Sequence, residues 1–82
     1  MSVERLVESL GELDKQRDRV IQIANSLKRK TVGFSRSVRE GSEINASERA
    51  DDIYRKVEEL RYESIVLSSI DRRVRLLEKE IV

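Results

Sequence analysis

The segment SLKRKTVGFSRSVRE, residues 26–40, carries Lys28, Arg29, Lys30, Arg36 and Arg39, with no acid from Lys28 to Arg39. Five cations within about three helical turns suit a phosphate backbone, which binds through charge neutralisation and counterion release. Gly33 would let such a backbone approach closely, and Ser35 and Ser37 would donate to phosphate oxygens. A second use for the same cations is equally physical. They sit toward the end of a helical segment, where positive charge complements the dipole. They would also face the acids of the next segment, Glu43, Glu48, Asp51, Asp52, Glu58 and Glu59.

Carboxylates are the other chemistry-bearing group. Asp51-Asp52 and Glu58-Glu59 are hard oxygen ligands of the kind Mg²⁺ takes, and Asp51, Glu58 and Glu63 fall roughly along one stripe. A metal-dependent nuclease needs acids converging from several elements, and no sequence feature brings that about. A solvated helix face is the expectation, with no metal and no cofactor. Arg72, Arg73 and Arg75 are interleaved with Asp71, Glu78 and Glu80, as in ordinary helix-surface pairing. The chain has no His and no Cys. The commonest general acid/base, the commonest metal ligand and any thiolate chemistry are therefore missing. No phosphate loop or nucleophile–base pair occurs, which points away from an enzyme.

These residues must be held by long helices. Residues 3–38 show apolar side chains at alternating steps of three and four: Val3, Leu6, Leu10, Leu13, Val20, Ala24, Leu27, Phe34 and Val38, with Arg17 and Thr31 completing the row. That spacing keeps one seam facing a partner helix over many turns. No proline interrupts it. Ser2 is a candidate N-cap. Gly11 lies at an outward position, tolerated within a continuous helix. Gly41 suits the left-handed residue that ends a helix, and Asn45 with Glu48 forms a capping-box pair. The second seam reads Ala46, Ala50, Ile53, Val57, Leu60, Ser64, Leu67, Ile70, Val74, Leu77, Ile81. Its repeated step of three at Leu67–Ile70, beside Ser68, suggests a local slip or break. The expectation is one all-α domain over 1–82: a helix over about 3–40, a turn over 41–45 and a helix over about 46–81.

Folding the second stretch back on the first places Arg17, the one charge in the first seam, level with Asp71. An Arg17–Asp71 salt bridge is expected. A hairpin has one buried interface, and Val7, Ile21, Ile23, Val32, Ile65, Val66 and Ile70 are left over to form an uncovered face. Self-association into a four-helix bundle would cover it.

Of the 82 residues, 40% are charged and the net charge is +1, so net charge argues neither for nor against nucleic acid. Arg outnumbers Lys, and Pro and Cys are absent, a composition with the flavour of thermophile ion-pair networks. No apolar run approaches the length of a membrane span, and the N-terminus lacks the pattern of a signal peptide. The expectation is a cytoplasmic protein.

Residues 17–41, RDRVIQIANSLKRKTVGFSRSVREG, resemble the opening helix of translin-like proteins, the archaeal ones above all. Arg17, Val20-Ile21, Lys28-Arg29 and Arg39-Glu40-Gly41 would play the family's parts. ASERADDIYRKVEEL, beginning at Ala46, is similar to the second helix of that family. The resemblance implies an all-helical protein that assembles into oligomers and binds single-stranded RNA or DNA through Lys28, Arg29, Lys30, Arg36 and Arg39. Asn25 stands where family members commonly have Arg. No counterpart of the family's later acidic helix occurs here, so no catalytic residue is carried over. The all-helical chorismate mutases are similar in length, but Ser47-Glu48-Arg49-Ala50-Asp51 departs from their Asp-x-x-Arg-Glu-like segment. The two function classes are thus a helical oligomerisation module that takes single-stranded nucleic acid, and a structural hairpin that docks a partner protein on its apolar face.

Overall fold

A computed structural model describes residues 2–81, at Ser2 the backbone alone, so the expected Ser2 cap lies outside the described residues. Helix α1 spans Ser2–Arg39 and α2 spans Glu43–Ile81. They form an antiparallel hairpin 59 Å long and 14 Å in its other two dimensions. The architecture is all-α, as the periodicity requires. Neither helix breaks: α2 runs without interruption past Ser68.

The turn is tighter than expected. Gly41, at φ 73°, is the left-handed residue. Ser42 N donates to Ser37 O at 3.1 Å and Gly41 N to Val38 O at 3.1 Å. This pair of bonds satisfies carbonyls that the helix end leaves open. Helix α2 then starts at Glu43 rather than at residue 46. Ala46 N donates to Ser42 O at 2.9 Å, so Ser42, not Asn45, occupies the cap position. The chain has reversed by Ser42, and nothing delays the next helix.

The inner rows also differ from the expected seam, by one side of the helix. On α1 the covered rows are Leu6, Leu13, Val20, Leu27 and Phe34, with Ser9, Gln16, Ile23, Lys30 and Ser37 beside them. The expected second row is exposed at Val3, Leu10, Arg17, Ala24, Thr31 and Val38. On α2 the inner rows are Ala46, Ile53, Leu60, Leu67 and Val74, and on their flank Arg49, Lys56, Glu63, Ile70 and Leu77. This order keeps a strict heptad from end to end. No slip occurs at Leu67–Ile70. The apolar residues cross there from one side of a regular contact row to the other.

The core is correspondingly thin. Among the described residues the buried apolar side chains are Ile23, Ile70, Val74 and Leu77, and the buried polar ones are Ser9, Ser37 and Glu63. Ile23 and Ile70 therefore belong to the hairpin's own core, not to an uncovered face. Val7, Ile21, Val32 and Ile65 are exposed, and Val66 is half-buried. Neither helix is long and apolar enough to cross a membrane.

Candidate functional site

The heptad gives the hairpin two unlike faces. One flank of the contact rows is polar, and Glu63 is at its centre. Heptad spacing aims this residue inward, leaving it 8% exposed. Gln16 Nε2 donates to its carboxylate at 2.7 Å and to its backbone carbonyl at 2.9 Å. Arg19 Nε reaches the same Oε2 at 2.9 Å. Arg73 Nη1 donates to Glu12 across the helices at 3.0 Å. This flank is thus tied by charge-assisted bonds as well as by the buried Ile23, Ile70 and Leu77. Sequence reasoning placed Glu63 on an outer acidic stripe and missed Gln16 and Arg19. The available signal was that Gln16 and Glu63 occupy matching heptad rows.

The basic segment is split by the helix turn angle. Lys30 is half-buried on the inner side, with Nζ 3.9 Å from Asp52. Lys28, Arg29, Arg36 and Arg39 are exposed and, among the described residues, form no ion pair. Arg29 and Arg36, seven residues apart, share one row; Lys28 and Arg39 project from other sides of α1. The expected neutralisation by the acids of α2 is confined to Asp52. Glu58 turns to Arg61 at 3.2 Å and Glu59 to Lys56 at 3.0 Å, both within α2. Both acids take partners at i,i+3 spacing on their own helix.

Two expected nucleic-acid contacts are corrected. Ser37 is 4% exposed and cannot reach an outside phosphate, whereas Ser35 is exposed. Gly33 is half-buried beneath Arg49, whose Nη1 lies 2.5 Å from where a Cβ would stand. Its missing side chain makes room for a neighbouring guanidinium, not for a ligand backbone. Among the described residues no group of three Asp or Glu side chains could hold a metal ion.

The opposite flank is apolar along most of the hairpin. Leu6, Leu13, Val20, Leu27 and Phe34 from α1, with Ile53, Val57, Leu60 and Leu67 from α2, are only half-buried. Val3, Leu10 and Val38 stand exposed at its border. Charge interrupts it where Leu13, Arg17, Leu67, Ser68 and Asp71 line a shallow hollow. The expected Arg17–Asp71 salt bridge does not form. Asp71 Oδ2 instead takes Arg75 Nε, one turn along α2, at 3.1 Å. Arg17 is exposed and has no ion pair among the described residues. Compared with known proteins, the chain matches no family model, no curated protein and no solved structure.

Proposed function

We propose that this chain is a non-enzymatic helical oligomerisation module, a hairpin that completes its core by packing its apolar face against further helices to form a bundle. The observation that carries this reading is the half-buried row from Leu6 to Phe34, apolar along its length and covered on one side only. A hairpin with four buried apolar side chains among the described residues, Ile23, Ile70, Val74 and Leu77, has little core of its own. Burying the outer row removes apolar area from water at roughly 25 cal/mol per Å². The test is sedimentation equilibrium over a wide concentration range. The wild type sediments above its 9.6 kDa chain mass. Leu10→Glu together with Ile21→Glu, both at exposed positions, sediments as the monomer.

A second reading has its own support. Lys28, Arg29, Arg36 and Arg39 are solvated cations without acidic partners among the described residues, and the likeness of residues 17–61 to translin-like helices points the same way. Such a module would hold single-stranded RNA or DNA along the turn-proximal half of α1, with Lys30 contributing less because it reaches toward Asp52. Fluorescence anisotropy with a labelled single-stranded RNA tests it. Binding that weakens steeply with salt and is lost on replacing the four cations by Gln supports it; no binding at low salt removes it.

A further inference from the structure

The geometry points to a second copy of this chain on the apolar face, turned end for end about a two-fold axis that crosses α1 at Ile21 and sets Asp14 of each copy against the partner's Lys28. This rests on the assembly reading above and adds the occupant and its orientation. The hairpin exposes 6573 Å², about 1,500 Å² more than a compact chain of its 9.6 kDa. A stable interface takes about 800 Å² from each partner, so the excess is ample for one further copy. On α1 the face continues outward from the half-buried row into Val3, Leu10 and Val38, and then into Val7 and Ile21, all exposed. Asp14 and Lys28 share the outermost row with Ile21, one heptad to either side of it. Both are exposed, and neither forms an ion pair among the described residues.

Charge and size select the orientation. Within the hairpin Arg19 lies level with Glu63 and Lys30 with Asp52. Carried along both helices, that register sets Leu10 level with Asp71, Ile21 with Arg61 and Val38 with Glu43. A two-fold axis along the helices lays α1 on the partner's α2 at equal height. Leu10 then falls on the partner's Asp71, Ile21 on the partner's Arg61 and Val38 on the partner's Glu43, so apolar side chains meet charges. Asp14 and Lys28 fall on the partner's Ser68 and the partner's Tyr54 and find no opposite charge. An axis across the helices instead lays α1 on the partner's α1, running the other way. Full overlap of Ser2–Arg39 with its copy puts that axis close to Ile21. Ile21 then meets its own copy, Val3 meets the partner's Val38, and Asp14 meets the partner's Lys28 on both sides of the axis, as an isologous contact requires. Bulk meets room as well: Leu10 faces the partner's Thr31, and on α2 Val57 faces the partner's Ser64 and Tyr54 the partner's Ser68. Arg17 falls on the partner's Ala24, whose short side chain leaves the guanidinium in the hollow it shares with Asp71 of its own chain. Arg61 comes near its own copy, but Glu58 already holds it at 3.2 Å. The acids that meet, Glu43 and the partner's Glu78, lie exposed at the ends of the bundle.

The chain has no cysteine, so single introduced thiols report the geometry. Ile21→Cys brings two thiols together at the axis, and mild oxidation should link the chains far faster than in Gln22→Cys, which is exposed on the polar flank. With an axis along the helices the thiols of Ile21→Cys lie at opposite corners of the bundle, and the two variants link alike. A spin label on Glu40→Cys, near the turn, gives the orientation at long range. The label separation should approach the 59 Å length of the hairpin. An axis along the helices would hold the labels within about 30 Å, roughly the width of a bundle of helices 10–12 Å thick. Charge exchange, read by sedimentation, tests the pairs. Asp14→Lys and Lys28→Asp each make both contacts repulsive and should dimerise roughly ten-fold more weakly. An equimolar mixture restores both pairs and should recover the wild-type affinity. A wild-type monomer at every concentration overturns this inference and the assembly reading together. A wild-type dimer with near labels, with no faster linking of Ile21→Cys, or with charge variants that mixing does not rescue overturns this inference alone.

Discussion

Replacing Glu63 by Ala should destabilise the hairpin by about 2 kcal/mol, although the sequence presents this residue as one more acid on a charged helix. The magnitude follows from its three contacts. The bond from Gln16 Nε2 to the carboxylate, 2.7 Å long and part-buried, is a hydrogen bond to a charged group and nets roughly 1.5–3 kcal/mol. The Arg19 pair at 2.9 Å adds less, because the Arg19 side chain is 60% exposed; such pairs contribute about 0.2–1 kcal/mol. The bond from Gln16 to the Glu63 backbone carbonyl survives the substitution. Ala is a slightly better helix former, which offsets a few tenths of a kcal/mol. A loss of about 2 kcal/mol lowers the melting temperature of a domain this small by roughly 8–16 °C. The assay is urea unfolding followed by helical ellipticity, with wild type and variant at one chain concentration, since self-association would add to apparent stability. Gln16→Ala should cost a similar amount, and the double variant little more than either, because the two share one bond. A loss below about 0.5 kcal/mol for Glu63→Ala, or additive losses, would refute the reasoning. The desolvation cost of the buried carboxylate would then cancel its hydrogen bonds.

The three glycines should separate by sign. At Gly11 a Cβ meets nothing within 4 Å, so Gly11→Ala should stabilise by up to about 1 kcal/mol in thermal unfolding. Gly33→Ala should not destabilise, because only the mobile tip of Arg49 stands in the way. Gly41→Ala, at φ 73°, should cost about 1 kcal/mol, since left-handed backbone strains residues bearing a Cβ. Leu10→Glu with Ile21→Glu should abolish assembly in sedimentation while leaving Ile23, Ile70, Val74 and Leu77 packed. If Lys28, Arg29, Arg36 and Arg39 each neutralise one phosphate of a single strand, raising salt from about 50 to 200 mM should weaken binding about fifty-fold by anisotropy.

Element type and number were legible because heptad spacing persists through both helices and Gly41 is the sole residue between them suited to a left-handed turn. The side of contact was not legible. In α1 the row of Leu6 is flanked by two candidates, Val3-Leu10-Arg17-Ala24 and Ser9-Gln16-Ile23-Lys30. Apolar count alone favours the first, and the hairpin packs the second. That choice minimises nothing within one helix. It depends on Glu63 reaching Gln16 and Arg19 across the interface, a pairwise fact that periodicity cannot express. The Arg17–Asp71 expectation failed for a related reason. The expected register put the turn near residues 43–44, whereas it closes at Gly41 and Ser42, so Lys30 meets Asp52 and Arg19 meets Glu63. Arg17 and Asp71 still line one hollow, but they are offset along the helices, and Arg75 is nearer to Asp71 along its own helix. The basic segment was legible as a run of charge and illegible as a surface, because successive residues are set 100° apart around α1.

The two rows of the hairpin divide the work of specifying structure. The apolar rows headed by Leu6 and Ala46 are nearly uniform, and sliding one helix by a heptad would set Leu, Val and Ile against much the same side chains. Apolar packing alone therefore discriminates poorly between registers. The polar row does discriminate. A slip of seven residues offers Gln16 either Lys56 or Ile70 in place of Glu63, and no carboxylate for its amide. The turn acts in the same direction, since the bonds closing at Gly41 and Ser42 fit one chain reversal. With register fixed from the polar side, the apolar side need not be consumed in fixing it, and it stays half-open at Leu13, Val20, Leu27 and Phe34.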